Sequence, residues 1–187
     1  MTTEGEVLRQ VVRLLSDLGI PYMLTGSLAS SVYGRPRTTF DANVVIDPSP
    51  GALEGLVDGL QKAGFYVDPG VARDALLMRR QFNAIAPRTA FKVDLIVRKD
   101  RPFSVEEFRR RRPARVGNAD VSLATPEDTI LSKLEWAKKG GSERQLDDAA
   151  GIVAVQGAAL DRDYIDRWAA LLGVMDEWRR VADSELG

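Results

Sequence analysis

The hydrophobic pattern of the sequence changes once, near Pro126, and this change limits what the chain can fold into. Before Pro126, short apolar runs that are typical of strands alternate with runs of helical periodicity. After Pro126, the apolar residues follow helical periodicity alone. The pattern therefore predicts an α/β domain over residues 1–124 and a helical domain over residues 125–187.

Turn and capping residues divide these two parts into elements. We expect strands at 22–25, 40–47, 65–68, 82–87 and 91–97, and a hairpin over 114–124. We expect helices at 3–18, 27–33, 51–63, 71–79, 126–139, 142–156, 161–172 and 174–185. Thr3 and Glu6 fit a capping box at the start of the first helix.

The composition excludes several kinds of chemistry. The 187 residues include no Cys and no His, which removes thiolate zinc sites and the commonest general base. A bound metal must then be held by carboxylates, which favour Mg²⁺ or Mn²⁺. No stretch reaches the roughly 20 apolar residues of a membrane-spanning helix, so we expect a cytoplasmic protein without a membrane partner.

Two of the predicted strands carry polar residues among apolar ones. Asp41 and Asn43 are two residues apart on one strand, so both side chains project from the same face. Asp94 lies in the middle of the other strand, where a carboxylate is costly to bury without a cation or a partner. A metal site explains these positions. A solvent-facing acid, or an ion pair of Asp94 with Lys92 or Arg37, is the alternative.

A Gly-Ser pair opens the short helix that precedes the first of these strands. The unpaired N–H groups and the positive dipole end of a helix N-terminus can hold a phosphate. Gly26 lets the backbone approach the ligand closely, and the Ser27 hydroxyl adds a donor. A plain helix cap is the alternative explanation for the pair.

Together these features resemble the DNA polymerase β-like nucleotidyltransferase superfamily. Its pattern is a Gly-Ser pair that opens a helix, Asp-x-Asp on the next strand, and a third Asp on a later strand. The corresponding residues are Gly26, Ser27, Asp41, Asn43 and Asp94. Arg37 and Thr39 lead into the acidic strand in a similar way. The resemblance implies an α/β (α+β) nucleotidyltransferase fold, with a small mixed sheet flanked by helices and a C-terminal helical bundle.

The helical half looks like a narrower group, the nucleotidyltransferase-fold proteins related to toxins of type IV toxin–antitoxin, or abortive-infection, systems. In that group one helix bears a Lys, and the next carries an Arg-x-x-x-Asp type motif. The matching residues are Lys133, Arg144 and Asp148. A solvated Lys on an amphipathic helix, and a surface ion pair between Arg144 and Asp148, are the alternatives.

The resemblance also implies a reaction, in which a metal-dependent enzyme moves a nucleotide from an NTP to an acceptor. Two Mg²⁺ (or Mn²⁺) ions held by Asp41, Asn43 and Asp94 would activate the acceptor hydroxyl and stabilise the leaving oxygen. The implied nucleotide-binding residues are Gly26, Ser27, Arg37, Lys133, Arg144 and Asp148. The acceptor would be a tRNA 3′ end, a protein hydroxyl or a small molecule such as an aminoglycoside. A cognate antitoxin-like protein is the implied partner.

Asn43 departs from the pattern, because its amide oxygen can bind a metal but carries no charge. We expect weaker metal binding and a slower reaction. Three explanations are open: a degenerate nucleotide- or RNA-binding relative that acts with a partner protein, a slow enzyme with one metal, or an introduced Asp→Asn change.

Two basic segments bear on the acceptor. One is the loop over 34–37, and the other is the run of four arginines at 109–112. Contact with the phosphates of RNA is one explanation, and a solvated loop or helix end is the other. The net charge of −1 does not indicate a strongly basic nucleic-acid binder.

Overall fold

The computed structural model describes residues 4–183, in which the chain forms two compact units. The first unit contains residues 4–24 and 39–123, and the second contains residues 25–38 and 124–183. Residues 25–38 thus pack with the C-terminal helices.

Strands and helices follow one another along the chain as the periodicity suggests. The strands are β1 (Tyr22–Thr25), β2 (Asp41–Ile46), β3 (Gln81–Ala86), β4 (Phe91–Val97), β5 (Arg112–Val116) and β6 (Ala119–Leu123). The helices are α1 (Glu4–Asp17), α2 (Gly26–Tyr33), α3 (Pro50–Lys62), α4 (Pro69–Met78), α5 (Pro102–Arg110), α6 (Pro126–Gly140), α7 (Glu143–Gln156), α8 (Arg162–Leu172) and α9 (Met175–Asp183). A 3₁₀ turn, Gly157–Ala159, separates α7 from α8.

Among the described residues, six strands form one mixed sheet in the order β3-β4-β2-β1-β6-β5. The β2–β4 and β1–β6 pairs are parallel, and the β3–β4 and β5–β6 pairs are antiparallel hairpins. The strand expected at 65–68 is reduced to an isolated bridge between Tyr66 and Ile85. This mixed α+β architecture confirms the predicted fold class.

One face of the adjacent strands β2 and β4 belongs to the core of the first unit. Ala42, Val44 and Ile46 of β2 are fully buried, as are Val93 and Leu95 of β4. These residues alternate with the polar positions of the same strands, because successive side chains of a strand point to opposite faces. The alternation fixes which face carries the polar residues.

Several helix starts in this chain are set by capping residues that the sequence reveals. Ser49 and Thr125 accept a hydrogen bond from the N–H three residues further on, and a proline follows each at the first helical position of α3 and α6. Apart from the strand expected at 65–68, the expected elements within residues 4–183 agree with the observed ones to within two residues at each end. Thr3 of the predicted capping box lies outside the described residues, as do positions 184–185 of the last predicted helix.

The second unit packs α2 against α6 and α7, and α6 also contacts α8 and α9. The backbones of α2 and α7 approach each other closely in this packing. A Cβ atom on Gly34, which follows α2, would lie 2.9 Å from the carbonyl carbon of Gly151 and from the backbone nitrogen of Ile152. Hydrophobic periodicity could not assign α2 to this unit. The predicted domains 1–124 and 125–187 stay a prediction, and α2 lies with the helices of the second.

Candidate functional site

Four polar side chains of the first unit lie on one face of the sheet, and we call them the polar sheet face: Asp41, Asn43, Lys92 and Asp94. In the parallel β2–β4 ladder, Asp41 lies opposite Lys92, and Asn43 lies opposite Asp94. Paired residues of neighbouring strands project to the same side, as do residues two apart on one strand. The two strands that sequence analysis singled out are therefore neighbours, and their polar residues meet.

Asp94 is the most buried member of the polar sheet face. Its side chain is 8% exposed, and its Oδ2 lies 3.0 Å from the ammonium group of Lys92. Its Oδ1 is buried and has no hydrogen-bond partner. The ion pair with Lys92, one of the two that the sequence offered, thus forms and satisfies one carboxylate oxygen. A buried carboxylate oxygen without a partner is costly, and it points to a missing cation or donor.

Asp41 is half-buried at the start of β2 and is oriented by its neighbour. The Thr39 hydroxyl donates a hydrogen bond of 2.7 Å to Asp41 Oδ1. The same hydroxyl lies 3.3 Å from the Asp41 carbonyl oxygen. Thr39 therefore restricts the rotamer of the Asp41 carboxylate, which gives this threonine of the Arg-x-Thr run a local role.

The donors of the polar sheet face suit one divalent cation better than two. In the part of the chain that the structure describes, no group of three or more Asp, Glu, His or Cys side chains could hold a metal. Asp41 and Asp94 supply two carboxylates, Asn43 supplies a neutral amide oxygen, and Lys92 adds a positive charge. Oxygen donors of this kind fit Mg²⁺ or Mn²⁺, and the unpartnered Asp94 Oδ1 is the observation that favours a cation.

The second unit contains a separate group of charged residues, which we call the basic cluster: Ser27, Arg37, Lys133 and Asp148. The Lys133 ammonium group lies 2.7 Å from Asp148 Oδ2. Arg37 Nε lies 3.4 Å from Asp148 Oδ1, and a terminal nitrogen of Arg37 donates to the Ser27 hydroxyl oxygen at 2.7 Å. Three helices, α2, α6 and α7, and the loop that follows α2 supply these four residues.

The charge balance of the basic cluster suits an anion. Two cations surround one carboxylate, so the four residues of the cluster have a formal charge of +1. The Lys133 side chain is only 5% exposed, which makes its charge less screened than a surface charge. The neighbouring N-terminus of α2 begins at Gly26, whose φ of +67° is in the left-handed region, and Thr25 does not cap it with its side chain.

Arg144 is the predicted site residue that the structure leaves apart from the cluster. It is exposed on α7, and Asp148 pairs with Lys133 and Arg37 instead. The i,i+4 spacing of Arg144 and Asp148 was a weak signal, because a buried lysine on a neighbouring helix offers a less screened partner.

Lys92 is the residue that sequence reasoning treated only as a structural partner. Its signal was the spacing of two residues from Asp94 on one strand, which places both on one face.

The arginine run at 109–112 is largely engaged within its own unit. Arg109 makes two hydrogen bonds to Glu106, of 2.8 and 2.7 Å. The Arg111 guanidinium lies over the Phe108 ring, 4.2 Å from its centre. These contacts match the local explanation of the run, and an RNA partner stays a prediction. No helix within residues 4–183 is both long and apolar enough to span a membrane.

The chain combines a small mixed sheet, which has acidic residues on two neighbouring strands, with a helical unit. This is the arrangement of the nucleotidyltransferase fold, and solved structures with that fold match the chain. The antibiotic-resistance factor ANT(2″)-Ia matches in its solution structure, with a TM-score of 0.58 and 14% identity over 91% of this chain and 96% of that one. Its crystal structure in complex with adenylyl-2″-tobramycin matches with a TM-score of 0.61 and 11% identity, over 89% and 94%.

The lincosamide antibiotic adenylyltransferase LnuA, in its lincomycin-bound crystal structure, is also similar. Its TM-score is 0.56 at 11% identity, over 82% of this chain and 98% of that one. No protein-family model matches the sequence, and no curated protein matches it either. At such identities the likeness establishes the fold, which confirms the expected nucleotidyltransferase architecture.

Proposed function

We propose that the protein transfers a nucleotide from an NTP to a hydroxyl-bearing acceptor. The observation that carries the proposal is the polar sheet face, where Asp41 and Asp94 lie on adjacent parallel strands and Asp94 Oδ1 has no partner. Carboxylates on neighbouring strands of this fold can hold the divalent cation that nucleotidyl transfer uses.

The basic cluster is proposed to bind phosphate. Arg37 and Lys133 carry the charge that a phosphate chain requires, and Ser27 adds a hydroxyl donor. Asp148 holds both cations in place, so their positions are set before a ligand arrives. The first N–H groups of α2 add uncharged donors that favour the same kind of ligand.

The polar sheet face is proposed to serve the acceptor. The acceptor oxygen attacks the α-phosphorus, a new P–O bond forms, and the bond to the bridging oxygen breaks to release pyrophosphate. Asp94 takes the proton of the attacking hydroxyl, and Asp41, oriented by Thr39, would hold a cation. A Mg²⁺ or Mn²⁺ ion held by Asp41, Asn43 and Asp94 would supply Lewis-acid stabilisation of the developing charge.

Two observations favour a small molecule as the acceptor over a tRNA 3′ end. Two of the four arginines that would contact RNA phosphates have partners within the protein, Arg109 with Glu106 and Arg111 with Phe108. The similar crystal structures of ANT(2″)-Ia and LnuA contain small molecules, adenylyl-2″-tobramycin and lincomycin respectively. A protein hydroxyl stays the second choice. The link to toxin–antitoxin systems, an antitoxin-like partner and a cytoplasmic location stay predictions from the sequence resemblance.

A second candidate function is a nucleotide-binding module that turns over slowly or not at all. Asn43 favours it, because the amide removes one negative charge from the face that would hold the metal. The Lys92 ion pair favours it too, because it already neutralises part of the Asp94 charge.

Incubation with each labelled NTP, Mg²⁺ and an acceptor tests the proposal. Three acceptor sets are needed: a panel of aminoglycosides and lincosamides, the protein itself, and total tRNA. We expect covalent label on a small molecule, lost in Asp94→Asn and retained in Asp120→Asn, a control at an exposed position of β6. Tight NTP binding without label on any acceptor would favour the binding module.

A further inference from the structure

Lys92 contributes a positive charge at the point where the proposed function needs a metal ion. Its ammonium group lies 3.0 Å from Asp94 Oδ2. The Lys92 side chain is 40% exposed, whereas the Asp94 side chain is 8% exposed. A partly exposed lysine side chain thus reaches a buried carboxylate.

The charges of the polar sheet face explain why this matters. Asp41 and Asp94 together carry two negative charges, and Lys92 cancels one of them. A dication at the same face would be repelled by the ammonium group and would compete with it for Asp94 Oδ2. Asn43 provides no charge to make up the difference.

We propose that Lys92 is an internal counter-cation, which competes with the divalent metal for Asp94. When a metal–nucleotide complex binds, Lys92 releases Asp94. The inference rests on the proposed function, because it assumes that Asp94 holds a metal. Before binding, Lys92 limits the cost of the buried carboxylate. When a metal–nucleotide complex binds, Asp94 would hold the metal, and the Lys92 ammonium group would be free to contact a phosphate oxygen that the complex brings with it.

The released ammonium group is suited to that second role. Lysine is a compact charge on a flexible stem with three donors, so it can follow a phosphate oxygen without a fixed geometry. Because the Lys92 side chain is partly exposed, its ammonium group can move away from Asp94 without a further loss of hydration. Lys92 therefore opposes a metal that arrives alone and assists a metal that arrives with a triphosphate. The two ligands are then positively coupled.

Calorimetric titration with Mn²⁺ alone tests the first half of the proposal. We expect Lys92→Met to bind Mn²⁺ roughly fivefold more tightly than the wild type, the factor that corresponds to about 1 kcal/mol for a partly exposed ion pair. Lys62→Met, at the exposed end of α3, removes the same charge elsewhere in the unit and should leave the affinity unchanged. Equal Mn²⁺ affinity of the wild type and Lys92→Met would overturn the proposal.

The second half is tested by repeating the titration with saturating non-hydrolysable ATP analogue. We expect the advantage of Lys92→Met to disappear or to reverse, because the wild type then gains a phosphate contact. An advantage of unchanged size with the analogue bound would refute the release of Lys92. Lys92→Gln, which keeps a donor without the charge, should behave like Lys92→Met, and circular dichroism verifies that both variants are folded.

The outcomes separate this proposal from the proposed function. Equal affinities of the wild type and Lys92→Met remove the role of Lys92 and leave the metal site intact. Absence of Mn²⁺ binding by the wild type, by Lys92→Met and by Asn43→Asp removes both the metal site and the competition. Neither readout depends on transfer activity, so a failure to find the acceptor affects only the proposed function.

Discussion

Asn43 faces Asp94 across the β2–β4 ladder and offers one oxygen where an aspartate would offer two. The other neighbour of Asp94 in the sheet is Asn83 of β3, which is exposed. Asp94 therefore has an amide on each side, and Lys92 is the charged partner that the structure gives it. An Asn→Asp substitution at each of these two positions can distinguish the effect of direct metal coordination from the effect of added negative charge.

Asn43→Asp is expected to bind Mg²⁺ or Mn²⁺ roughly tenfold more tightly than the wild type, because ligand charge sets the affinity of hard cations. Calorimetry measures the difference. Asn83→Asp adds the same charge at the exposed neighbour and should have a clearly smaller effect. Equal affinities of the wild type and Asn43→Asp would mean that residue 43 does not contact the metal.

Ser27→Ala is expected to weaken NTP binding by about 1 kcal/mol, the usual net contribution of one hydrogen bond. The Ser27 hydroxyl accepts from Arg37 and also lies in the first turn of α2. Ser31→Ala is the matched control, because that hydroxyl lies on the same helix and contacts only the Arg37 carbonyl oxygen, at 3.4 Å. Nucleotide affinity that is the same in both variants would argue against a phosphate at this helix.

At the scale of elements, the backbone contact between α2 and α7 depends on a residue without a side chain. A Cβ on Gly34 would meet backbone atoms of Gly151 and Ile152 at 2.9 Å, and backbone atoms cannot rotate away. Gly34→Ala should therefore destabilise the protein by about 1–3 kcal/mol, the range for overpacked positions. Urea unfolding measures the loss.

Gly140→Ala is the control for this substitution. Gly140 is the last residue of α6 in the same unit, and a Cβ there would meet nothing within 4 Å. It should be neutral or slightly stabilising, because alanine favours helix more than glycine does. A Gly34→Ala protein as stable as the Gly140→Ala protein would show that the helices can move apart at no cost.

Local pattern was sufficient to predict most elements and part of the candidate site. The spacing of Asp41 and Asn43 predicts that both side chains lie on one face of the sheet. The ion pair of Lys92 with Asp94 is one of the two ion pairs that the sequence suggests for Asp94. The pairing of β2 with β4 was not predictable from periodicity, because strand order depends on contacts between distant segments. The ion pair between Lys133 and Asp148, which lie on separate helices, was not predictable from periodicity for the same reason.

At the scale of the whole molecule, one titrating group links pH to the stability of the fold. Burial raises the pKa of Tyr22 above its ordinary value of 10.0, although hydrogen bonds to the Ser122 backbone and the Ser16 side chain act in the opposite direction. The folded chain therefore holds this proton more tightly than the unfolded chain does.

The free energy of unfolding should consequently be unaffected by Tyr22 below pH 10 and should fall as the pH rises through the raised pKa of the folded state. Urea unfolding at a series of alkaline pH values tests this. Tyr22→Phe should lose stability less steeply with pH than the wild type does, since lysines titrate equally in both. Parallel curves for the two proteins would show that Tyr22 titrates alike in the folded and unfolded states.

The division of the second unit between two distant stretches of sequence has a consequence for synthesis on the ribosome. Helix α2 has eight residues, too few to persist alone in water. Its packing partners begin with α6 at Pro126, about one hundred codons later. At roughly 5–20 residues per second, the nascent α2 segment waits about 5–20 s for those partners. The apolar side of this segment is therefore available to a chaperone until α6 and α7 have been translated.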